Sequence, residues 1–566
     1  MTTARPAKPV RVSTAFALLC LALAAAPGGA RGQAHPTAEV PPDAGVWEAS
    51  GHNGAVAAGG EGAVEAGIET LKSGGNAADA AVATILALTV TDATSACFGG
   101  EVPILVYDAK TGAVEVIAGQ GAAPALATPE FFEARGGIPG TGVEPAAVPA
   151  LLDACLTTLD RHGSITFARA SAPMLRLLDR HKEPWHADLA RTVRRLVAAE
   201  SGSGGDRRRG LRLVADYFYR GPVAREVDAW SRAHGGLLRY GDFARHVTRV
   251  EEPVAATYRG HTVLKCGPWT QGPALLQALQ TLEGFDLKAM GHNSTAAAHT
   301  TVEALKLALA DRDTYYADPL YEDVPLAGLL APSYAAARRG LIDPSHASLA
   351  LRPGDPRSAK ALLTGGGPAP GRGGPARDTT TCLVADRDGN VVAATPSGWS
   401  GVVAGETGVW LGTRLQSFTL APGHPNRIAP GKRPRITLTP TLVLKDGKPV
   451  LAVSVAGGDN QDQMTLQLVL NHLDFGLAPG ASVTAPRFMS DHFIGSFRQT
   501  PPVLGGLRIN PTFGQTTLDA LAARGHKLTV SPTILGAAPI VIAIDPASRL
   551  YRAAGDPRAR RHAAAY

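Results

Sequence analysis

The 566-residue sequence has few aromatic residues (5%), only five cysteines and a formal net charge of only +6. So small a basic excess does not predict nucleic-acid binding. The cysteines lack the paired spacing of metal or redox motifs, and histidines such as His472 and His492 lack the spacing of zinc ligands. Glycine-rich runs lack the strand, helix and lysine that surround a phosphate-binding loop. We therefore expect no metal, no cofactor and no nucleic-acid partner.

The composition that remains, 45% hydrophobic and 18% charged, is that of a globular chain. The first 30 residues predict a secretory signal peptide, because basic residues precede an apolar run at 12–26 and the small residues Gly28-Gly29-Ala30. This run is shorter than the about 20 apolar residues of a membrane anchor, and no later stretch could span a bilayer. We expect a periplasmic or secreted protein that begins near residue 31.

Four cysteines follow the signal segment: Cys97, Cys155, Cys266 and Cys382. An exported location allows a disulfide among them, but the sequence cannot assign a pair. The wide spacing favours buried free thiols.

Helical patterns dominate the first two thirds of the chain. Residues 54–91 predict two helices separated by Ser73-Gly74-Gly75, and Asn76 caps the second. A hairpin is predicted for residues 102–108 and 113–118. The other expected segments are helices over 145–200, a loop at 201–210, further helix to about 236, a strand pair at 253–266 and a helical block at 271–350.

A linker rich in glycine and proline occupies residues 364–378, and the pattern after it changes to strands. Asp388-Gly389 and Asp446-Gly447 mark hairpin turns. Strands are also predicted for residues 408–413 and for the C-terminal segment at 538–558. A helix-rich portion therefore meets a strand-rich portion near residue 378.

Thr379 stands directly after the linker, at the start of the first of these strands. A hydroxyl is a weak nucleophile without a base, and cleavage before Thr379 would let its own α-amino group accept the proton. That amine has an ordinary pKa of about 7.7–8.0, which suits neutral pH. The alternative is that Thr379 to Thr381 simply begin a strand.

The sequence resembles the γ-glutamyltranspeptidase family of exported N-terminal-nucleophile hydrolases, which cleave themselves into two subunits. The resemblance covers most of the mature chain, and its segments occur in the family's order. They are LKSGGNAADAAVATILALTV, EEPVAATYRGHTVLKCGPWTQGPALLQALQTLEGFDL, VEALKLALADRDTYYADP, TTTCLVADRDGNVV, VVAGETGVWLGT, APGKRPRITLTPTLVLKDGKP and DFGLAPGASVTAPRF.

This resemblance implies an α+β fold, a four-layer αββα sandwich. It implies a large helix-rich subunit (31–378) and a small strand-rich subunit (379–566) from one precursor. Thr379 would be the nucleophile, and Ser397 a hydroxyl that hydrogen-bonds it, with Thr395 as an alternative. Gly457-Gly458 would supply oxyanion-hole N–H groups, since glycine lets backbone donors approach a developing negative charge.

The residues that bind a free glutamyl end differ from the family's pattern. Gln120 replaces the arginine for the α-carboxylate and cannot form a charged fork. Trp399 replaces an asparagine, and Arg414 and Ser417 replace the residues for the α-amino group. Ile436 and Thr437 replace two serines that help to bind the carboxylate. The pattern therefore predicts retained catalytic residues with a changed acyl specificity, and a repulsive charge from Arg414 near the amino-group position.

Two acidic segments complete the candidates. In Asp311-Arg312-Asp313 the carboxylates cannot share one helix face, which favours structural salt bridges over acid–base work. Asp459 follows the glycine pair and suits a helix N-terminus electrostatically, and it is a candidate for substrate contact.

The sequence thus predicts an exported γ-glutamyltransferase or glutathione-hydrolase-like amidohydrolase. Its expected partners are a small amide or γ-glutamyl substrate and its own two subunits. Two alternatives stay open: an acylase with a non-glutamyl acyl substrate, and a catalytically silent binding relative. A silent protein would stay one band in denaturing electrophoresis.

Overall fold

The structure is a computed structural model that describes residues 47–363, 379–398 and 402–566. The predicted signal peptide, the linker at 364–378 and Trp399 lie outside these residues. Within them, no helix has the length and apolar character to cross a membrane.

The strands are, in chain order, β1 (Glu48–Gly51), β2 (Gly54–Ala58), β3 (Val102–Tyr107), β4 (Val114–Gly119), β5 (Arg249–Glu251), β6 (Val254–Tyr258), β7 (His261–Lys265), β8 (Cys382–Asp386), β9 (Val391–Ala394), β10 (Thr441–Lys445), β11 (Lys448–Ala456), β12 (Phe488–Ser490), β13 (Gly506–Ile509), β14 (Lys527–Val530), β15 (Ala538–Asp545), β16 (Leu550–Gly555) and β17 (His562–Ala565).

The helices are α1 (Glu61–Lys72), α2 (Ala77–Thr91), α3 (Pro129–Glu133), α4 (Leu151–His162), α5 (Phe167–Leu178), α6 (Trp185–Ser201), α7 (Arg207–Ala215), α8 (Pro222–Ala233), α9 (Tyr240–Ala244), α10 (Pro273–Leu282), α11 (Leu287–Met290), α12 (Thr295–Tyr315), α13 (Leu326–Leu329), α14 (Pro332–Arg339), α15 (Asn460–Leu473), α16 (Pro479–Thr484) and α17 (Gln515–Ala523). A π-helical turn at Asp216–Arg220 follows α7.

Two seven-stranded antiparallel sheets form the centre of the fold. Sheet 1 has the strand order β1-β16-β15-β11-β10-β7-β6, and sheet 2 has the order β17-β2-β8-β9-β3-β4-β5. A smaller sheet has the order β12-β13-β14. Both large sheets contain strands from before and after the linker, so the two portions of the chain share each sheet rather than forming separate layers.

The two large sheets pack face to face. Because successive side chains of a strand point to opposite faces, Leu383 and Ala385 of β8 lie in the layer between the sheets, while Cys382 and Val384 pack against helices. Helices α1, α2 and α4 to α8 cover the outer face of sheet 2, and α10, α12 and α15 cover that of sheet 1. The predicted α+β fold with four αββα layers is confirmed.

Several local predictions are also confirmed. Asn76 caps α2, because its side chain accepts a hydrogen bond from the Asp79 backbone N–H and the Asp79 carboxylate accepts one from the Asn76 backbone N–H. This reciprocal pair satisfies donors that a helix start leaves open. The expected hairpins β3–β4, β8–β9 and β10–β11 are present.

Other local predictions were wrong. Residues 54–58 form a buried strand, because both of its faces are covered in sheet 2. Arg207 begins helix α7 rather than lying in a loop, since Asp206 caps the helix and Leu211 and Val214 are buried. Residues 408–413 form only isolated bridges. Gly408 has a φ of +67°, which interrupts an extended chain, and a Cβ there would lie 2.2 Å from the Leu189 backbone nitrogen. Thr379 to Thr381 precede β8, which begins at Cys382.

All four described cysteines are buried, and none forms a disulfide. Burial raises the pKa of the thiols of Cys155, Cys266 and Cys382. Since the thiolate is the reactive form, these thiols should be inert in the folded protein. This agrees with the expectation of buried thiols.

We expect a reducing agent to leave the Tm of the protein unchanged. Thiol labelling in the native state should be slow, and unfolding in urea should expose the thiols to reagent. Calorimetry with and without reductant, together with a thiol titration, measures both effects. A Tm that falls on reduction would show a disulfide that this fold does not contain.

Candidate active site

Thr379 lies just before β8 and is buried, with 5% of its surface exposed. The adjoining backbone holds this position: the Thr380 N–H donates to the Pro396 carbonyl (2.8 Å), and the Gly59 N–H donates to the Thr381 carbonyl (3.2 Å). A Cβ on Gly59 would lie 1.9 Å from Thr380 Oγ1, so this approach requires glycine. The start of β8 is therefore fixed against β2 and the end of β9.

The glycine pair Gly457-Gly458 joins β11 to α15. Both residues have positive φ angles, +136° and +58°, which L side chains rarely adopt. A Cβ on Gly457 would also lie 1.9 Å from the Gly536 carbonyl oxygen. The carbonyls of the pair accept hydrogen bonds from the N–H groups of Asn460 and Gln461. The pair thus opens a helix N-terminus, where backbone N–H groups and the helix dipole favour negative charge.

Gln461, in the first turn of α15, connects this helix start to Thr379. Its hydrogen bonds assign the amide so that Nε2 donates to the carbonyls of Val455 (3.0 Å) and Thr437 (2.9 Å). The other end of the amide, Oε1 in this assignment, lies 3.4 Å from Thr379 Oγ1. Gln461 was not among the predicted site residues, although its position three residues after Gly458, at the start of a predicted helix, was visible in the sequence.

The two candidate supporting hydroxyls have different surroundings. Ser454 Oγ donates to the Ala394 carbonyl (2.9 Å), so Thr395 Oγ1 must donate to Ser454 Oγ at 3.0 Å. Thr395 therefore links β9 to β11 across the two sheets. Ser397 Oγ is fully buried and accepts a hydrogen bond from Arg414 Nη2 at 2.8 Å.

Arg414 forms a buried ion pair with Glu101. Its Nε donates to Glu101 Oε1 at 2.7 Å, and Nη2 lies 2.6 Å from the same oxygen. The carboxylate of Glu101 therefore offsets the charge of Arg414, which weakens the repulsion expected from this residue near the amino-group position. Glu101 was not among the predicted site residues. The only sign of Glu101 in the sequence was its position, as an acidic residue that follows Gly99-Gly100 and directly precedes a buried strand.

The remaining predicted specificity residues that the structure describes are all buried. Gln120 Nε2 donates to the Gly121 carbonyl (2.9 Å), and its Oε1 has no hydrogen-bond partner among the described residues. Ser417 is buried beside Asn426, whose Nδ2 donates to its carbonyl at 2.7 Å. Ile436 belongs to the apolar layer between the sheets. The backbone carbonyl of Thr437 accepts a hydrogen bond from the Gln461 side chain, and this bond connects Thr437 to the site.

Comparisons with known proteins decide the family. The family model described as Gamma-glutamyltranspeptidase matches residues 63–181 and 182–566. The chain belongs to this family. It is 32% identical to the Acylase ACY 1 proenzyme of Pseudomonas sp. (strain SE83), over 86% of this chain and 89% of that protein. It is 30% identical to the Glutathione hydrolase proenzyme of Bacillus subtilis (strain 168), over 86% and 87% respectively.

A solved structure extends the gamma-glutamyltranspeptidase likeness to three dimensions. The crystal structure of cephalosporin acylase from Bacillus halodurans superimposes with a TM-score of 0.77 at 29% identity, covering 95% of this chain and 99% of that one. The two sheets and their helical layers are therefore the family's fold.

In this member of the family, a buried polar network holds Asp459 in place. It accepts hydrogen bonds from Arg312 Nη1 (2.6 Å) and from the backbone N–H (2.9 Å) and Oγ (2.6 Å) of Ser496. Arg312 also pairs with Asp313, whose pKa burial raises. Burial and the nearby Arg312 lower the pKa of Arg435 in this network to about 10. The Asp311-Arg312-Asp313 segment is thus structural, as its spacing indicates.

One group in the described part of the chain brings three possible metal ligands together: His299, Glu303 and His526, with ligand atoms within 4.8 Å. Glu303 already pairs with Lys306 and with Arg352 (2.8 Å). Burial and the nearby Lys306 lower the pKa of His526 to about 3. A divalent cation would add charge beside the buried Lys306 and the half-buried Arg352, so this group does not suit a metal.

We expect Asp459→Asn to lower the free energy of unfolding by about 3 kcal/mol, because it removes one carboxylate from the fully buried Arg312, which keeps Asp313. Glu69→Gln is a matched control that breaks an exposed pair with Arg176. This control substitution should lower the free energy of unfolding by less than about 1 kcal/mol. Urea unfolding measures both values. Equal stability of the two variants would contradict a structural role for Asp459.

Proposed function

We propose that the protein is an exported amidohydrolase that cleaves its own chain before Thr379 and then uses this residue as its nucleophile. The observation that carries the proposal is the buried Thr379 hydroxyl beside the first turn of α15, which Gly457-Gly458 open. The names of the acylase and glutathione hydrolase relatives, both proenzymes, support a precursor that is processed.

In the proposed reaction, Thr379 Oγ1 attacks the carbonyl carbon of a substrate amide. The new α-amino group of Thr379 takes the hydroxyl proton and passes it to the leaving amine as the C–N bond breaks. Backbone N–H groups at Gly457-Gly458 stabilise the oxyanion, aided by the positive end of α15. Water then attacks the acyl-enzyme ester, releases the acid and restores the hydroxyl.

Processing is the first test. We expect the purified protein to run as two bands, with the smaller chain beginning at Thr379. Thr379→Ala should remain one chain, because it has no hydroxyl to attack the preceding peptide bond. Thr381→Ala removes a buried neighbouring hydroxyl and should still be cleaved. A small chain that begins at another residue, found by N-terminal sequencing, would refute Thr379 as the nucleophile.

The oxyanion role of the glycine pair is the second test. Gly458→Val places a β-branched side chain at a φ of +58° and should displace the donor, so we expect kcat to fall about 10²–10³-fold. Gly447→Val is the matched control, since Gly447 also has a positive φ (+76°) but lies in a hairpin turn with open space around it. The kcat values are measured per processed molecule. If they are equal for the two variants, the proposed oxyanion role of the glycine pair is refuted.

We expect the enzyme to prefer an acyl group other than a glutamyl group with a free α-carboxylate and a free α-amino group. A glutamyl substrate carries an α-carboxylate and an α-ammonium group, and each needs an opposite charge when buried. Gln120 is neutral, and the cation of Arg414 is compensated by Glu101. Ile436 is apolar. We therefore propose an acyl group without a free α-amino group, in line with the two relatives that are named acylases.

A panel of p-nitroanilides tests this specificity. The γ-glutamyl anilide is compared with the glutaryl anilide, which lacks only the α-amino group, and with the butyryl anilide, which lacks both charges. We expect the γ-glutamyl compound to have the lowest kcat/KM, since each unmatched charge costs about 1.5–3 kcal/mol. A preference for the γ-glutamyl anilide, or family-like hydrolysis of glutathione, would show that the proposed specificity is wrong.

A further inference from the structure

Gln461 lies between the proposed nucleophile and the interior of sheet 1. Its side chain is buried, with 1% of its surface exposed, in the first turn of α15. Its amide faces Thr379 Oγ1 on one side and the carbonyls of Thr437 and Val455 on the other. We infer that Gln461 is a positioning residue that holds Thr379 in its reactive orientation.

The backbone dictates which end of the amide faces Thr379. The carbonyl oxygens of Thr437 and Val455 can only accept hydrogen bonds, so they select the NH₂ group of Gln461. A rotated amide would place its oxygen against both carbonyls, where this buried oxygen would face only acceptors. The oxygen of Gln461 is therefore presented to Thr379 at 3.4 Å as a fixed acceptor.

A fixed acceptor at this place suits the proposed chemistry, on which this inference rests. In the processed chain, the hydroxyl and the α-amino group of Thr379 are on adjacent carbons, so an acceptor beside Oγ1 is close to both donors. An amide oxygen is not a base at neutral pH, so it orients these groups without taking the proton.

The first experiment separates positioning from packing. Gln461→Met keeps the length and approximate volume of the side chain but removes its hydrogen bonds. Gln467→Met is the matched control, since Gln467 is buried two turns further along α15 and bonds only to backbone, at Gln463 and Phe488. Both variants should lose similar stability. We expect Gln461→Met alone to slow self-cleavage and to lower kcat about 10–100-fold with little change in KM.

The second experiment introduces a negative charge beside Thr379. Gln461→Glu turns one carboxyl oxygen toward the Thr437 and Val455 carbonyls and the other toward Thr379. The α-ammonium group of Thr379 is the charge that stabilises the ionised carboxylate there, and the carboxylate in turn stabilises the ammonium form. The pKa of this group then rises, so the ascending limb of the kcat/KM pH profile should move to higher pH by about one unit. The Gln467→Glu profile should coincide with the wild-type profile.

The outcomes are distinct. A wild-type protein that is never cleaved before Thr379 refutes the proposed function itself. If the wild type is processed and active but Gln461→Met matches Gln467→Met in cleavage and kcat, and the Gln461→Glu profile coincides with that of the wild type, the positioning role is refuted. If the Gln461→Met protein does not cleave itself, kcat cannot be measured. Its cleavage rate relative to that of Gln467→Met then decides whether Gln461 positions Thr379.

Discussion

The apolar contact between the two central sheets is the interaction on which the site depends. Alternate residues of the central strands, such as Leu383 and Ala393 in sheet 2 and Ala452 and Ile540 in sheet 1, form one dry layer. The hydrogen bonds from Thr395 to Ser454 and from Ser454 to the Ala394 carbonyl cross this layer at one point. There β9 meets β11, so the start of β8 and the glycine pair after β11 are brought to the same end of the sandwich.

This arrangement also explains how the two fragments of a chain cleaved before Thr379 could stay associated. Strand β8 lies between β2 and β9, and β10 lies between β7 and β11. Each large sheet therefore contains strands from both sides of the proposed cleavage point, and the apolar layer between the sheets holds residues from both. Separating the fragments would mean breaking strand ladders and exposing that layer to water, which costs about 25 cal/mol per Å² of apolar surface.

Local signals in the sequence predicted much of the fold. The cap at Asn76 and the Asp-Gly turns at 388–389 and 446–447 depend on a few neighbouring residues, and they are present where expected. The ion pair of Glu101 with Arg414 joins residues 313 positions apart, so it follows only from the folded topology. The orientation of Gln461 likewise depends on the carbonyls of Thr437 and Val455, which lie outside helix α15. Strand β2 was missed because its small residues are buried on both faces and show no alternation.

The central claim is that the Thr379 hydroxyl carries the acyl group during turnover. The most direct measurement is acid quenching of the processed protein during hydrolysis of an acyl p-nitroanilide, followed by peptide mass spectrometry of the small chain. The account predicts one added acyl mass on the peptide that begins with Thr379, removed on further incubation at neutral pH. An acyl group on another residue, such as Ser397, or turnover without any acylated peptide would contradict it.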